Sequence, residues 1–130
     1  MTNNKVEKKE NKKVEGVLTQ ADIDAWKAMH DHVYKTYSND QAIIYRPIKR
    51  SEYTKLMLST DIDPSEESDV EKRMERLSSR QVGICKISVL YPPEEKTAKL
   101  LEDEAGLASN LADVIMDHSG FNALANSEEL

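Results

Sequence analysis

The chain has one cysteine, four glycines, one phenylalanine and one tryptophan among 130 residues. A single cysteine excludes an internal disulfide and a zinc site built from cysteines. The glycines form neither a GxGxxG nor a GxxxxGK pattern, so the sequence lacks the phosphate-binding loops of nucleotide enzymes. No run approaches the roughly 18 apolar residues that span a bilayer, and no segment resembles a signal peptide. These absences predict a soluble cytoplasmic protein without a membrane partner.

Charge is abundant but unevenly distributed. Charged residues make up 32% of the chain, and the net charge is −6 although residues 1–15 carry five lysines against three glutamates. The polar start cannot bury enough apolar surface to offset its ordering entropy, so we expect a disordered tail over 1–17. After this tail we expect one domain over residues 18–125 and a flexible tail over residues 126–130. The acidic domain would repel phosphates, which predicts no nucleic-acid partner.

The stretch 65–91 is predicted to form one long helix around which the other elements pack. Its apolar residues recur at steps of three, four and seven, which places them on one helix face. Ser65 is the expected N-cap, and two prolines follow Tyr91. A strand over 82–90 is the alternative, because that segment is β-branched and contains Gly83. The residues of the stripe are Val70, Met74, Leu77, Ile84 and Cys85.

The remaining pattern predicts a mainly α (α+β) single domain of about four helices with a two-stranded antiparallel hairpin. We expect the other helices over 19–32, 49–58 and 104–119, with Thr19 as an N-cap and Gly120 as a C-terminal cap. Residues 33–37 and 41–45 flank a polar turn and predict the hairpin. Residues 94–103 are expected to add one or two helical turns. The predicted core consists of Trp26, Tyr45, Leu77, Ile84, Val89, Leu111, Ile115 and Phe121.

The residue types argue against an enzyme. His30 and His32 are two apart, and residues at that spacing on a helix face away from each other, so we expect no metal site. His118 falls on an apolar stripe, which favours a core or capping role. Cys85 lies in an apolar helix face, where a thiol is inert. We therefore predict no catalytic residue, no metal and no cofactor.

Binding residues are sought instead in one basic stretch and one small-residue flank. Residues 45–53 interleave cations with tyrosines, a mix that could contact a nucleic acid or an acidic partner. We expect instead that these cations pair with the acidic final third of the same chain. Alanines along the last helix permit close approach of another helix, and methionines at 57, 74 and 116 could supply adaptable contacts. The candidate binding residues are Trp26, Tyr45, Arg46, Arg50, Tyr53, Ala105, Ala108, Ala112 and Phe121.

Four stretches of the sequence resemble the small tail assembly chaperones of tailed bacteriophages. They are the IxxWK segment at Ile23, the segment IIYRPIKRSEY over 43–53, VLYPPE over 89–94, and EAGLASNLADVIMDHSGF over 104–121. The resemblance implies a non-enzymatic protein of the host cytoplasm that coats the helical tape-measure protein and releases it as the tail tube polymerises. The Lys/Glu-rich N-terminal extension departs from the family pattern.

Two other functions remain as alternatives at this stage. One is a small structural subunit that stays in the virion, and the other is a phage regulator that binds a host protein through its acidic surface. The sequence leaves open whether the chain associates with itself.

Overall fold

The computed structural model describes residues 17–61, 63–121 and 128–130, which form one mainly helical α+β domain. Residues 1–16 and 122–127 lie outside the described residues, so the structure does not describe most of the two predicted tails or the last four residues of the predicted domain over 18–125. Three antiparallel strands form a sheet in the order β1-β2-β3. The elements are α1 (Gln20–Met29), β1 (Tyr34–Ser38), β2 (Gln41–Tyr45), α2 (Arg50–Ser59), α3 (Val70–Ser88), β3 (Val89–Tyr91), α4 (Glu94–Asp103) and α5 (Leu107–Met116).

Helix α1 begins with the predicted cap. The Thr19 side chain accepts a hydrogen bond from the Asp22 N–H at 3.2 Å, and the Asp22 carboxylate accepts one from the Thr19 N–H at 3.1 Å. This reciprocal pair satisfies two N–H groups that the helix itself cannot bond. The helix ends at Met29, short of the predicted 32, so His30 and His32 lie beyond it.

The predicted hairpin forms with its turn at Asn39 and Asp40. Ser38 pairs with Gln41, and Asn39 has a φ of 55°, a left-handed conformation that asparagine tolerates. Strand β2 is central and its last three residues are buried, because β1 and β3 pair with it on either side.

The long helix is shorter at both ends than the sequence predicts. Asp69, not Ser65, caps its start by accepting a hydrogen bond from the Lys72 N–H at 3.2 Å. Ser65 lies in a separate 3-10 turn, Pro64–Glu66. At the other end the prediction of helix to residue 91 is wrong, because Val89–Tyr91 pairs with β2. The alternative of a strand over 82–90 is wrong for 82–88, which are helical.

The core lies where the C-terminal half of α3 packs on α5, α2 and α4. A methyl group placed on Gly83 would lie 2.5 Å from Leu56 Cδ1, so this glycine permits the close contact of α2 with α3. Of the predicted core, Tyr45, Ile84, Leu111 and Ile115 are buried, whereas Trp26 and Val89 are half-buried. The core prediction is wrong for Leu77 and Phe121, which are 51% and 50% exposed.

The C-terminal part contains a full helix over 94–103, where the sequence predicts only one or two helical turns. Helix α4 runs for ten residues and buries Thr97 and Leu101. Helix α5 begins at Leu107 and leads into a turn, Asp117–Phe121, where Gly120 has a φ of 96°. That conformation matches the predicted left-handed cap and turns Phe121 back toward α2, where its ring meets Tyr53.

Candidate binding surfaces

Arg46 has a structural role. Its guanidinium donates two hydrogen bonds of 2.8 Å to the Glu52 carboxylate and one of 3.1 Å to the Ile87 carbonyl. Its backbone N–H donates to the Ser88 carbonyl at 3.0 Å. Arg46 therefore satisfies carbonyls at the end of α3 that lack helical partners, and its guanidinium is occupied within the fold.

Tyr45 lies beneath the surface in an aromatic cluster. Its ring is 2% exposed, and its hydroxyl lies 2.9 Å from His118 Nδ1. The His118 ring stacks on Tyr34 with centroids 4.0 Å apart. Burial raises the pKa of the Tyr45 hydroxyl, and the nearby Tyr34 and Asp117 raise it further. The cluster attaches the turn after α5 to the sheet. His118 is exposed and lies beyond Met116, the last residue of α5, so the prediction of a core role is wrong.

The small-residue flank faces inward for the most part. Ala108 and Ala112 are 8% and 3% exposed and lie in the core cluster with Ile84 and Cys85. The helix that approaches them is α3 of the same chain, so these two alanines offer no free surface to a partner. Ala105 precedes α5 and is exposed.

Three of the predicted binding residues come together in a single groove. Arg50, Tyr53 and Phe121 line a cavity of about 470 Å³ between the start of α2 and the turn after α5. The Tyr53 and Phe121 rings lie 4.9 Å apart and are tilted by 59°. The Ile48 N–H donates to Ser119 Oγ at 2.9 Å, which joins the two walls. We call this the Tyr53–Phe121 groove; its lining residues are Ile48, Lys49, Arg50, Tyr53, Thr54, Ser119, Gly120 and Phe121.

Two cations lie at this groove without an ion pair. In the part of the chain that the structure describes, the ion pairs that involve arginine or lysine join Arg46 to Glu52, Arg80 to Asp61, and Lys99 to Asp103. Lys49 and Arg50 are exposed and take part in none of them. The prediction that the basic stretch pairs with the acidic final third of the chain is therefore wrong within the described residues.

The first half of α3 exposes an apolar stripe, of which Leu77 was predicted to lie in the core. Val70, Met74 and Leu77 are 62%, 61% and 51% exposed, and steps of four and three place them on one face. The same face is buried further along at Ile84. We call these three residues the α3 stripe. Periodicity shows that they share a face, but it cannot show how far along the helix the other elements reach.

Trp26, predicted both for the core and for binding, is half-buried on α1. Its nearest aromatic neighbour is Tyr91 at the end of β3, with ring centroids 6.5 Å apart. Helix α1 buries no residue fully, so it is attached to the domain by partly exposed contacts. Of the three methionines proposed for adaptable contacts, Met74 is mostly exposed, and Met57 and Met116 are half-buried.

Of the groups considered for chemistry, His30 and His32 share one depression, whereas His118 and Cys85 lie elsewhere. His30 and His32 line a small depression of about 160 Å³ beside Pro47, and His118 lies in the aromatic cluster instead. Among the described residues, no group of three or more histidine, cysteine, aspartate or glutamate side chains is placed to hold a metal ion. Burial raises the pKa of the Cys85 thiol to about 12, so the nucleophilic thiolate hardly forms at neutral pH.

Neither the length and polarity of the helices nor comparison with known proteins assigns a function to the chain. Within the described ranges, every helix is too short or too polar to cross a membrane. Comparison with protein-family models, with curated proteins and with solved structures gives no match to this chain. The candidate sites therefore consist of two surfaces, the α3 stripe and the Tyr53–Phe121 groove.

Proposed function

We propose that this protein is a non-enzymatic assembly chaperone of the phage-tail type, which binds an elongated helical client such as a tape-measure protein in the host cytoplasm. The observation that carries the proposal is the α3 stripe, an apolar face on a regular helix whose residues are between 51% and 62% exposed. The four stretches that resemble tail assembly chaperones agree with this role.

The spacing of the stripe suits a helical partner. Side chains that alternate in steps of four and three form the seam by which one helix packs along another. Val70 to Leu77 covers two turns, or about 10 Å at ~1.5 Å per residue. Glu71, Arg73 and Glu75 are also exposed on α3, so charges of both signs accompany the stripe. A client with an apolar stripe on a long helix could therefore pack here in many registers.

The size of the stripe predicts weak, reversible binding by one copy. Full burial of an aliphatic side chain stabilises by about 1.5–3 kcal/mol, and roughly half of each stripe residue remains to be buried. The gross gain of about 3–4 kcal/mol does not exceed the entropy cost of association. Copies that also contact one another along an elongated client would be retained more strongly, because the contact raises the effective concentration of each neighbour, and each single contact would still be weak enough for tube subunits to displace it.

Replacement of Met74 with glutamate tests the proposal. The exposed site and the similar helix propensities of the two residues leave the fold intact, while the charge disrupts the apolar seam. With the tape-measure protein of the same phage co-expressed, M74E should lose most of the soluble client that the wild type recovers. The matched control is Leu58→Glu, which changes an exposed leucine on α2 and should preserve client recovery.

Three results would contradict the chaperone role. Equal client solubility with and without the protein would do so directly. Mass spectrometry of mature particles would contradict it by finding the protein in fixed copy number, which is expected of a structural subunit. Capture of one dominant host protein from uninfected lysate, in place of the client, would favour a regulator.

A further inference from the structure

The Tyr53–Phe121 groove has the construction of a ligand site on a different part of the domain from the α3 stripe. Its lining residues come from the link before α2, the start of α2 and the turn after α5, and none of them lies on α3, which carries the stripe. Its volume of about 470 Å³ falls within the roughly 300–1,000 Å³ typical of binding pockets. Both walls are held in place, one by helix α2 and the other by the bond from the Ile48 N–H to Ser119.

The charges at the groove favour an anionic ligand. Lys49 and Arg50 have no ion-pair partner within the described residues, although the chain as a whole carries a net charge of −6. The nearest carboxylate in sequence, Glu52, is engaged by the Arg46 guanidinium and the Lys49 N–H. The Lys49 ammonium contributes to the lowered pKa of Glu52 without forming an ion pair with it, so both cations can still bind a ligand carboxylate. An arginine fork matches a carboxylate with two parallel hydrogen bonds.

The aromatic walls require an apolar part in the same ligand. Phe121 is 50% exposed, and its ring meets the Tyr53 ring with centroids 4.9 Å apart and a tilt of 59°, so both rings present apolar surface to the groove that they line. A large apolar side chain inserted there would remove that surface from water. A ligand that satisfies both features has a carboxylate next to a leucine or an aromatic group.

We propose that the groove binds an acidic segment of another protein, in which glutamate or aspartate adjoins a large apolar side chain. The carboxylates pair with Lys49 and Arg50, and the apolar side chain packs between Tyr53 and Phe121. A nucleic acid fits less well, because two cations neutralise few phosphates and the rest of this acidic domain repels them. The proposal does not depend on the chaperone role, since the α3 stripe is a separate surface.

The test is a titration with a capped, fluorescein-labelled peptide of sequence EEFLEE, followed by fluorescence anisotropy at low salt. The wild type should bind it and should not bind KKFLKK or EESSEE, which lack the charge or the apolar centre. K49Q/R50Q should weaken binding about tenfold, since each exposed pair contributes up to about a factor of five. The control K55Q/K86Q makes the same charge change at exposed lysines elsewhere and should alter affinity less than about twofold.

A second variant tests the apolar part of the site. Phe121→Ser removes one aromatic wall at a half-exposed position and should weaken EEFLEE binding about as much as K49Q/R50Q does. The proposal is overturned if the wild type fails to bind EEFLEE, if K49Q/R50Q binds it as tightly as K55Q/K86Q, or if EESSEE binds equally well. Tighter binding of a fluorescein-labelled oligothymidylate than of EEFLEE would overturn it in favour of nucleic acid.

Discussion

Replacement of Glu52 with glutamine should destabilise the domain at neutral pH by about 1.5 kcal/mol. Two hydrogen bonds of 2.8 Å join its carboxylate to Arg46, which in turn contacts the Ile87 carbonyl at the end of α3. Hydrogen bonds to charged groups contribute about 1.5–3 kcal/mol each. The Glu52 side chain is 30% exposed, so solvent screening reduces the loss, and glutamine still accepts one hydrogen bond.

The effect should depend on pH in a defined direction. The hydrogen bond from Arg46 lowers the pKa of Glu52 against the opposing effect of burial, and the Lys49 N–H lowers it further. A lowered folded pKa gives stability that is complete above the unfolded value of about 4.3 and disappears as pH falls through the folded value. The difference between wild type and E52Q should therefore be constant near pH 7 and shrink below about pH 4.

Urea unfolding at pH 7 measures the stability that E52Q loses, and the same experiment at pH 3.5 measures how far that loss shrinks in acid. Thermal unfolding at pH 7 should show a Tm lowered by about 6 °C. Asp103→Asn is the control, because it removes an ion pair of the same 2.8 Å length that is exposed on α4. This control should leave the Tm unchanged within error. A loss below about 0.5 kcal/mol in E52Q, or an equal loss at both pH values, would refute the structural role assigned to Arg46 and Glu52.

Two further predictions concern the packing of α3 against α5. Cys85 should resist thiol reagents at pH 8 in the native protein and react fully in urea, because burial raises the pKa of its thiol to about 12; fast native labelling would contradict this. Ala112→Leu should cost about 1–3 kcal/mol in urea unfolding by overpacking the contact between these helices, whereas Ala105→Leu at an exposed position should cost little. Equal stability of the two leucine variants would contradict the inward orientation of Ala112.

The end of the long helix shows why the sequence predicted one boundary and missed another. Thr19 and Asp22 cap α1 through bonds within four residues, so their spacing is sufficient to predict them. The end of α3 depends instead on Arg46, which lies 41 residues before Ile87 in the chain, and on strand β2, which supplies partners for Val89–Tyr91. Local propensity in a β-branched stretch does not contain those distant partners.

The same distinction applies to the candidate sites. Arg50, Tyr53 and Phe121 were identified as residue types suited to binding, but their joint groove exists only because Gly120 turns the chain back onto α2. Leu77 of the α3 stripe was predicted to lie in the core, because a periodic apolar face has the same pattern whether or not another element covers it.

The sequence by itself determined the mixed, mainly helical class, the hairpin, the cap of α1 and the left-handed turn at Gly120, since each depends on neighbours a few residues apart. Tertiary structure alone decided that α3 ends at Ser88, that Ala108 and Ala112 face inward, and that half of the α3 apolar face is left exposed. Those outcomes depend on which distant segments of the chain pack against a given backbone group or side chain. A periodic pattern along one segment does not contain that information.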